Sequence, residues 1–280
     1  MKYIYGILLS IANFCKRFYY VNKTIFLKIL NLYSWLFISK EHTSFSFKLS
    51  EKNKLFILEN LYSDFGINRN HVNDILKFSD NIKLKKPFFS SINPKTVDVN
   101  FKVNFDYTIL VLTFLKNTET NFIYEFGFNQ GRLALLLNKY QKYEKDIKFK
   151  YYGVDINERK GGLYQSQNNL DTDYINLHFV DLNYFLKKHF DYDKFSKSIL
   201  ISSTHEKTSE NSLFNYLSEN NTYPEIIISD NIREDSAYVN FIKKNNIYAS
   251  RIYFFEDLSQ NHQPLYIGIS KKLSQTTSSE

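Results

Sequence analysis

Cysteine, proline and glycine are scarce in this sequence. Its 280 residues include one cysteine, Cys15, four prolines and eight glycines. Because a single thiol cannot form a disulfide within the chain, the composition favours a reducing compartment. The sequence also lacks the run of about 20 apolar residues that a membrane-spanning helix needs. We therefore predict a cytoplasmic protein, large enough to bury the core of one large domain or two unequal ones.

The basic residues are concentrated near the N-terminus. The formal net charge is +7, and residues 1–50 contain seven lysines and arginines but only one acid, Glu41. The rest of the chain is close to neutral, which favours an enzyme or a binding domain over a nucleic-acid-binding surface.

Two apolar runs, residues 3–14 and 25–38, lie among the N-terminal bases. This pattern fits two arrangements. The runs form amphipathic helices on the inner, anionic face of a membrane, with peripheral contact through residues 1–40, or they form a helical pair packed on the main domain. The sequence leaves both arrangements open.

The larger part of the sequence alternates between two kinds of segment. From residue 121 onward, short apolar runs typical of buried strands are separated by segments with helical character. Repeated alternation predicts an α/β fold, a doubly wound and mostly parallel sheet, over residues 101–272. We assign a helical, basic region to residues 1–100 and a disordered tail to residues 273–280. The predicted strands are 121–126, 148–155, 175–181, 198–204, 225–230, 250–255 and 264–270, and the predicted helices are 105–117, 130–142, 158–170, 182–190, 208–220 and 234–246.

The last two predicted strands are close together in the sequence. Only eight residues separate 250–255 from 264–270. A crossover between parallel strands needs a dozen or more residues. We therefore predict a seven-stranded sheet that is parallel except for an antiparallel last strand.

The segment "EFGFNQG", residues 125–131, follows the first predicted strand of this series. Counted from Gly127, the dinucleotide-binding pattern G-x-G-x-x-G requires glycine at two positions that Asn129 and Arg132 occupy. No Gly-Lys-Ser/Thr follows, so the pattern of a phosphate-binding P-loop is also absent. These counts exclude a nicotinamide dinucleotide and a nucleoside triphosphate bound in the usual way.

The same segment resembles the first motif of the class I S-adenosylmethionine-dependent methyltransferases, E/D-h-G-x-G-x-G. Asn129 stands where the motif has its middle glycine, and asparagine is among the residues that best tolerate a left-handed conformation. The resemblance, which covers residues 105–272, implies that S-adenosylmethionine is the cofactor. It also implies that Glu125, Gly127, Asn129 and Gly131 bind the methionine part of this cofactor.

Two more acids stand at the ends of the next two predicted strands. Asp155 ends "YYGVD" and Asp181 ends "HFVD". An acid at the end of the second strand can accept hydrogen bonds from both ribose hydroxyls. The resemblance places Asp181 beside the adenine amino group. The alternative interpretation is that each acid caps the helix that follows it, since aspartate is a common N-cap residue.

The acceptor side of the site is predicted at the ends of the fourth and fifth strands. "SSTHEK" supplies His205, which we predict to be the general base because the pKa of histidine suits proton transfer near neutral pH. Asp230, in "SDNI", is the second catalytic candidate. The Asp-Asn pair resembles the metal-binding pair of small-molecule O-methyltransferases, but Thr204, or Ser203 if the register shifts by one residue, stands where those enzymes have a further aspartate. Threonine is a poor ligand for Mg²⁺, so we predict no metal.

The sequence determines the methyl acceptor poorly. We predict O-methylation of a small molecule or a glycan, and no nucleic-acid partner. A protein that keeps the methyltransferase fold for binding alone is the second hypothesis, since Asn129 and Thr204 both depart from catalytic patterns. An aminopropyl transferase on the same fold would need a D-x-x-D acceptor motif after the fourth strand, and "SSTHEK" lacks one.

Overall fold

The structure of the protein is a computed structural model. It describes residues 43–45, 59–81, 84–85, 100–101, 107–128, 131–156, 170–204, 206–230, 232, 236–256 and 264–273. The predictions for the two N-terminal apolar runs, for almost all of the helix at 158–170 and for the C-terminal tail beyond residue 273 lie outside the described residues. Asn129 and His205 also lie outside them.

Helices and short strands alternate along the described chain as the sequence predicts. Residues 59–65 are helical as well. The helices are α1 Arg69–Asn81, α2 Tyr107–Asn117, α3 Arg132–Tyr143, α4 Leu182–Lys188, α5 Tyr192–Ser196, α6 Lys207–Glu219 and α7 Ala237–Lys244. The strands are β1 Thr43–Phe45, β2 Leu84–Lys85, β3 Asn100–Phe101, β4 Phe122–Phe126, β5 Lys150–Val154, β6 Ile175–His178, β7 Ser198–Ser202, β8 Ile226–Ser229, β9 Tyr248–Glu256 and β10 Pro264–Lys272.

The main sheet has the strand order β1–β9–β10–β8–β7–β4–β5–β6. Strands β4 to β8 pair in parallel, whereas β10 runs antiparallel to both β8 and β9. The chain moves outward from β4 through β5 to β6, and then returns to β7 on the other side of β4. The predicted seven-stranded sheet with an antiparallel last strand is confirmed by strands β4 to β10.

Three short strands lie in the region that the sequence predicts to be helical. β1 pairs in parallel with β9 and adds an eighth strand to one edge of the sheet. β2 and β3 form a separate antiparallel pair. Strands of two or three residues are too short to display a period-2 pattern, so alternation of apolar and polar residues cannot reveal them.

Helices cover both faces of the sheet. One face packs against α2 and α3, whose buried residues include Leu112 and Leu136. The other packs against α4, α6 and α7, where Phe185, Phe214 and Phe241 are buried. The central strands are consequently apolar on both sides, which explains why they read as continuous hydrophobic runs rather than alternating ones.

The described segment 59–81 packs into the same core as the α/β domain. Leu61 and Ile75 are completely buried and belong to the apolar cluster that lines α2 and α3. Asp64 also accepts from the Tyr253 hydroxyl at 3.2 Å and pairs with Arg251 at 3.3 Å, which ties the segment to β9. Among the described helices, none is long and apolar enough to cross a lipid bilayer.

Candidate active site

The predicted elbow lies where β4 ends at the centre of the sheet. Gly127 follows the strand directly and has φ of 86°, a left-handed conformation that favours glycine. A Cβ atom at this position would lie 2.7 Å from the carbonyl oxygen of Ser203 and 2.7 Å from the Cα of Thr204. These are backbone atoms that cannot rotate away. Only glycine therefore lets the elbow approach the end of β7 so closely.

Hydrogen bonds hold this close approach on both sides. The Gly127 amide donates to the carbonyl of Val154, at the end of β5, at 2.8 Å. The Ser203 amide donates to the carbonyl of Phe126, and its hydroxyl donates to the carbonyl of Gly127 at 3.0 Å. The turn is thus fastened to both neighbouring strands. Sequence reasoning considered Ser203 only as an alternative to Thr204 and missed this contact, because the contact depends on which strand lies beside β4.

The second glycine of the elbow, Gly131, precedes α3 at its N-cap position. Its backbone is also left-handed, with φ of 64° and ψ of 31°. Its amide donates to the carbonyl of Phe128 at 2.7 Å, and its own carbonyl accepts from Leu135 at 3.0 Å as the helix begins. The strand and the helix predicted on either side of the elbow are both present. Asn129, between the two glycines, lies outside the described residues.

Glu125 lies within β4, one residue before the strand ends. Its side chain is completely buried. The hydroxyl of Tyr151, on the neighbouring strand β5, donates to its Oε2 atom. That Glu125 serves the cofactor stays a prediction, and the structure shows its carboxylate covered by protein and not exposed at the site. Sequence reasoning also missed Tyr151, although "YYGVD" places it two residues from Gly153 on one face of β5.

Asp155 and Asp181 lie at the sheet edge predicted for them. Asp155 follows β5 directly, is partly buried, and its amide donates to the carbonyl of His178 at 3.0 Å. Asp181 caps α4, and its Oδ1 atom accepts from the amides of Asn183 at 2.8 Å and Tyr184 at 3.3 Å. The capping interpretation of Asp181 is therefore correct as far as this oxygen is concerned.

The carboxyl ends of β7 and β8 form the predicted acceptor side. Asp230 follows β8, is partly buried, and its amide donates to the carbonyl of Ser202 at 3.2 Å. Thr204 and Ser229 each bury a hydroxyl oxygen that has no hydrogen-bond partner among the described residues. His205, the first candidate for the base, lies outside the described residues, so its role as the base stays a prediction.

The elbow and the acids lie together at the carboxyl ends of the parallel strands. In open α/β sheets, ligands bind outside the carboxyl ends of the strands where the chain reverses its direction of strand addition. That point lies between β4 and β7, where Gly127 meets Ser203. Asp155 and Asp181 follow the next strands on one side, and Asp230 lies on the other. In the part of the chain that the structure describes, no group of three or more His, Cys, Asp or Glu residues is placed to hold a metal ion.

No family model matches the sequence, and no curated protein matches it either. Several solved structures are similar to it. The O-methyltransferase TomG from Streptomyces achromogenes is 7% identical to this chain. The alignment covers 80% of this chain and 99% of TomG, with a TM-score of 0.45. A second similar structure is a protein from Streptococcus pneumoniae, described as a tRNA (m1A22) methyltransferase and solved with S-adenosylmethionine. It is 16% identical to this chain. The alignment covers 62% of this chain and 75% of that protein, with a TM-score of 0.39.

An uncharacterised protein from Listeria monocytogenes is also similar. It is 11% identical, 56% of this chain aligns with it, and the TM-score is 0.42. The chain spans 64% of that protein's length. Similarity at this level selects no acceptor and gives no support to the expectation that excluded nucleic acid. The strand order with its antiparallel β10 is that of the class I methyltransferase fold, which the resemblance implied.

Proposed function

We propose that this protein is an S-adenosylmethionine-dependent methyltransferase. The observation that supports this function best is the elbow at Gly127, which has no room for a Cβ atom and lies at the reversal point of the sheet. Acids follow the next two strands at the same edge. A glycine turn with flanking carboxylates, and without a P-loop lysine, suits a phosphate-free nucleoside that carries a positive charge.

Each part of the cofactor has a proposed place along this edge. The turn that contains Gly127, Asn129 and Gly131 lies against the methionine part, with the buried charge of Glu125 beneath it. Asp155 accepts hydrogen bonds from the two ribose hydroxyls. Asp181 uses its second oxygen, Oδ2, for the adenine amino group while Oδ1 caps α4.

The proposed reaction is O-methylation of a small molecule or a glycan. The sulfonium group of S-adenosylmethionine supplies a methyl carbon that is open to in-line attack. The protein orients the acceptor hydroxyl and excludes water, and such positioning accounts for much of the rate acceleration. His205, or Asp230 in its place, takes the proton that the acceptor oxygen loses as it bonds to the methyl carbon. The bond from that carbon to sulfur breaks, and S-adenosylhomocysteine leaves as a neutral thioether.

The cofactor assignment is tested by calorimetry with S-adenosylhomocysteine. We expect the wild-type chain to bind it and Asp155→Ala to weaken binding about tenfold or more, because a hydrogen bond to a charged group contributes about 1.5–3 kcal/mol. Asp173→Ala is the matched control. This carboxylate is exposed in the turn before β6, at the amino ends of the parallel strands, whereas Asp155 lies at their carboxyl ends.

Two results of the calorimetry, and a turnover assay with S-adenosylmethionine, have distinct meanings. No binding by the wild-type chain at millimolar ligand would overturn the proposed cofactor. Equal affinities for Asp155→Ala and Asp173→Ala would overturn the ribose contact alone. Tight binding of S-adenosylhomocysteine combined with no release of it from S-adenosylmethionine over a broad set of hydroxyl acceptors would favour the binding protein, which Asn129 and Thr204 support.

A further inference from the structure

Glu125 and Tyr151 form a buried pair directly beneath the elbow. Both side chains are completely inaccessible to solvent. In the parallel register Glu125 lies beside Gly153 of β5, and Tyr151 is two residues before Gly153 on the same strand. Side chains two residues apart on a strand share one face of the sheet. The Tyr151 side chain therefore rises on the face that carries Glu125, and its hydroxyl donates to Oε2 of that carboxylate.

Gly153 provides the space for this hydrogen bond. A Cβ atom at Gly153 would lie 2.9 Å from the Tyr151 hydroxyl oxygen, 2.9 Å from a methyl carbon of Leu177 and 3.0 Å from a ring carbon of Phe128. The Tyr151 ring lies along β5 over Gly153, which has no side chain. The Tyr151 hydroxyl can therefore reach Glu125 on the adjacent strand, β4. The three residues act together. Glu125 carries the charge, Tyr151 donates a hydrogen bond to it, and Gly153 leaves space for the Tyr151 hydroxyl.

Burial makes the hydroxyl of Tyr151 important for the charge of Glu125. A carboxylate removed from water stays ionised only where donors replace its hydration. An O–H donor on one carboxylate oxygen also restricts the rotation of the group. Ile123 and Ile201, on the same face of the sheet, are among the apolar residues buried near the pair, and a charge acts more strongly in such surroundings than in water.

We propose that Tyr151 is a positioning residue for the amino-acid end of the cofactor. By donating to Glu125 it holds an oriented negative charge under the Gly127 turn, and this charge favours a ligand ammonium group above the turn. This inference rests on the proposed function. It goes beyond it by assigning a selective role: Tyr151 governs affinity for the part of the ligand that carries the ammonium group and not for the nucleoside.

The test compares two ligands that share a nucleoside. S-adenosylhomocysteine carries the amino-acid part, and 5′-methylthioadenosine lacks it. For Tyr151→Phe, which keeps the ring and removes the donor, we expect calorimetry to show about a tenfold loss of affinity for S-adenosylhomocysteine, as for a lost hydrogen bond to a charged group. The affinity for 5′-methylthioadenosine should change less than about twofold. A purely structural role would weaken both ligands equally.

Tyr152→Phe is the matched control. Tyr152 is the next residue of β5, and its ring packs on the opposite face of the sheet against Tyr124. The same chemical change there should leave the affinities for both ligands unaltered. Glu125→Gln is the second variant, because it keeps the size of the side chain and removes the charge that Tyr151 orients. It should reproduce the selective loss even if Tyr151→Phe does not fold.

The outcomes separate this inference from the function on which it rests. If the wild-type chain binds neither ligand, the proposed cofactor is wrong. If the wild-type chain binds both and each variant loses the two affinities in parallel, or loses neither, the positioning role of Tyr151 is wrong while the cofactor assignment stands. A loss confined to S-adenosylhomocysteine in Tyr151→Phe or Glu125→Gln supports the role.

Discussion

Gly127 joins two segments whose backbones touch. Its left-handed conformation turns the chain after β4, and the space where a side chain would lie is taken by the carbonyl of Ser203 and the Cα of Thr204. The left-handed conformation and the lack of space for a Cβ atom are separate requirements, since a residue can have positive φ with no atom close to its Cβ position. At Gly127 both apply together, and the cost of a larger residue is accordingly the sum of two contributions.

We expect Gly127→Ala to lower the free energy of unfolding by about 3 kcal/mol, from the left-handed conformation and from overpacking against backbone. Gly66→Ala is the control. Gly66 has φ of 66°, but no atom lies within 4 Å of the position that a Cβ would take, so its substitution should cost only about 1 kcal/mol. Urea unfolding of both variants measures the difference. Equal costs would mean that contact with Ser203 does not limit the size of residue 127.

The junction of β6 and α4 places two histidines face to face. The rings of His178 on β6 and His189 after α4 have centroids 5.5 Å apart, and Phe185 packs on both rings. Burial, followed by the nearby His189, lowers the pKa of His178 below its usual value of 6.5. The folded element therefore favours a neutral imidazole, whereas the unfolded chain accepts a proton at about pH 6.5.

This lowered pKa predicts that acid weakens the fold. Between the usual pKa of 6.5 and the lower pKa of His178 in the folded protein, the unfolded state binds more protons, so stability falls as the pH decreases through this window. Above pH 6.5 the contribution of His178 does not vary. We expect His178→Phe, which keeps an aromatic ring but does not titrate, to lose less stability than the wild type between about pH 7.5 and pH 5. Urea unfolding at both pH values measures this, and identical losses would contradict the prediction.

At the scale of the whole molecule, one apolar core includes the described segment 59–81. Its buried side chains contact the same cluster as α2, α3 and the central strands. Polar contacts reinforce this packing, since Lys271 of β10 donates to the carbonyl of Phe65 at 3.1 Å. The segment and the sheet should therefore unfold together as a single cooperative unit.

We expect Ile75→Ala to lower the free energy of unfolding by about 2–4 kcal/mol, because Ile75 is completely buried and its removal leaves a cavity. Hydrogen exchange should show faster exchange in β7 as well as in α1. Leu273→Ala is the control, because Leu273 is 52% exposed and its substitution should change stability by less than about 0.5 kcal/mol. Loss of protection confined to residues 59–81 would show that the segment unfolds separately.

The order of the strands along the chain, the antiparallel last strand and the elbow were all predictable from the sequence. Buried strands of a parallel sheet leave continuous apolar runs, and an eight-residue connection is too short for a crossover. Asp155 and Asp181 were predictable because they directly follow two such runs. These features depend on residues that are neighbours in the sequence, and so their pattern is visible there.

The contacts across strands became known only from the tertiary structure. Glu125 accepts from Tyr151 because β4 pairs with β5 in one particular register, and Gly127 needs its small size because β7 lies on the other side. The complete burial of Glu125 also follows from packing. Strand neighbours and register arise from contacts between segments distant in the sequence, where local periodicity carries no information.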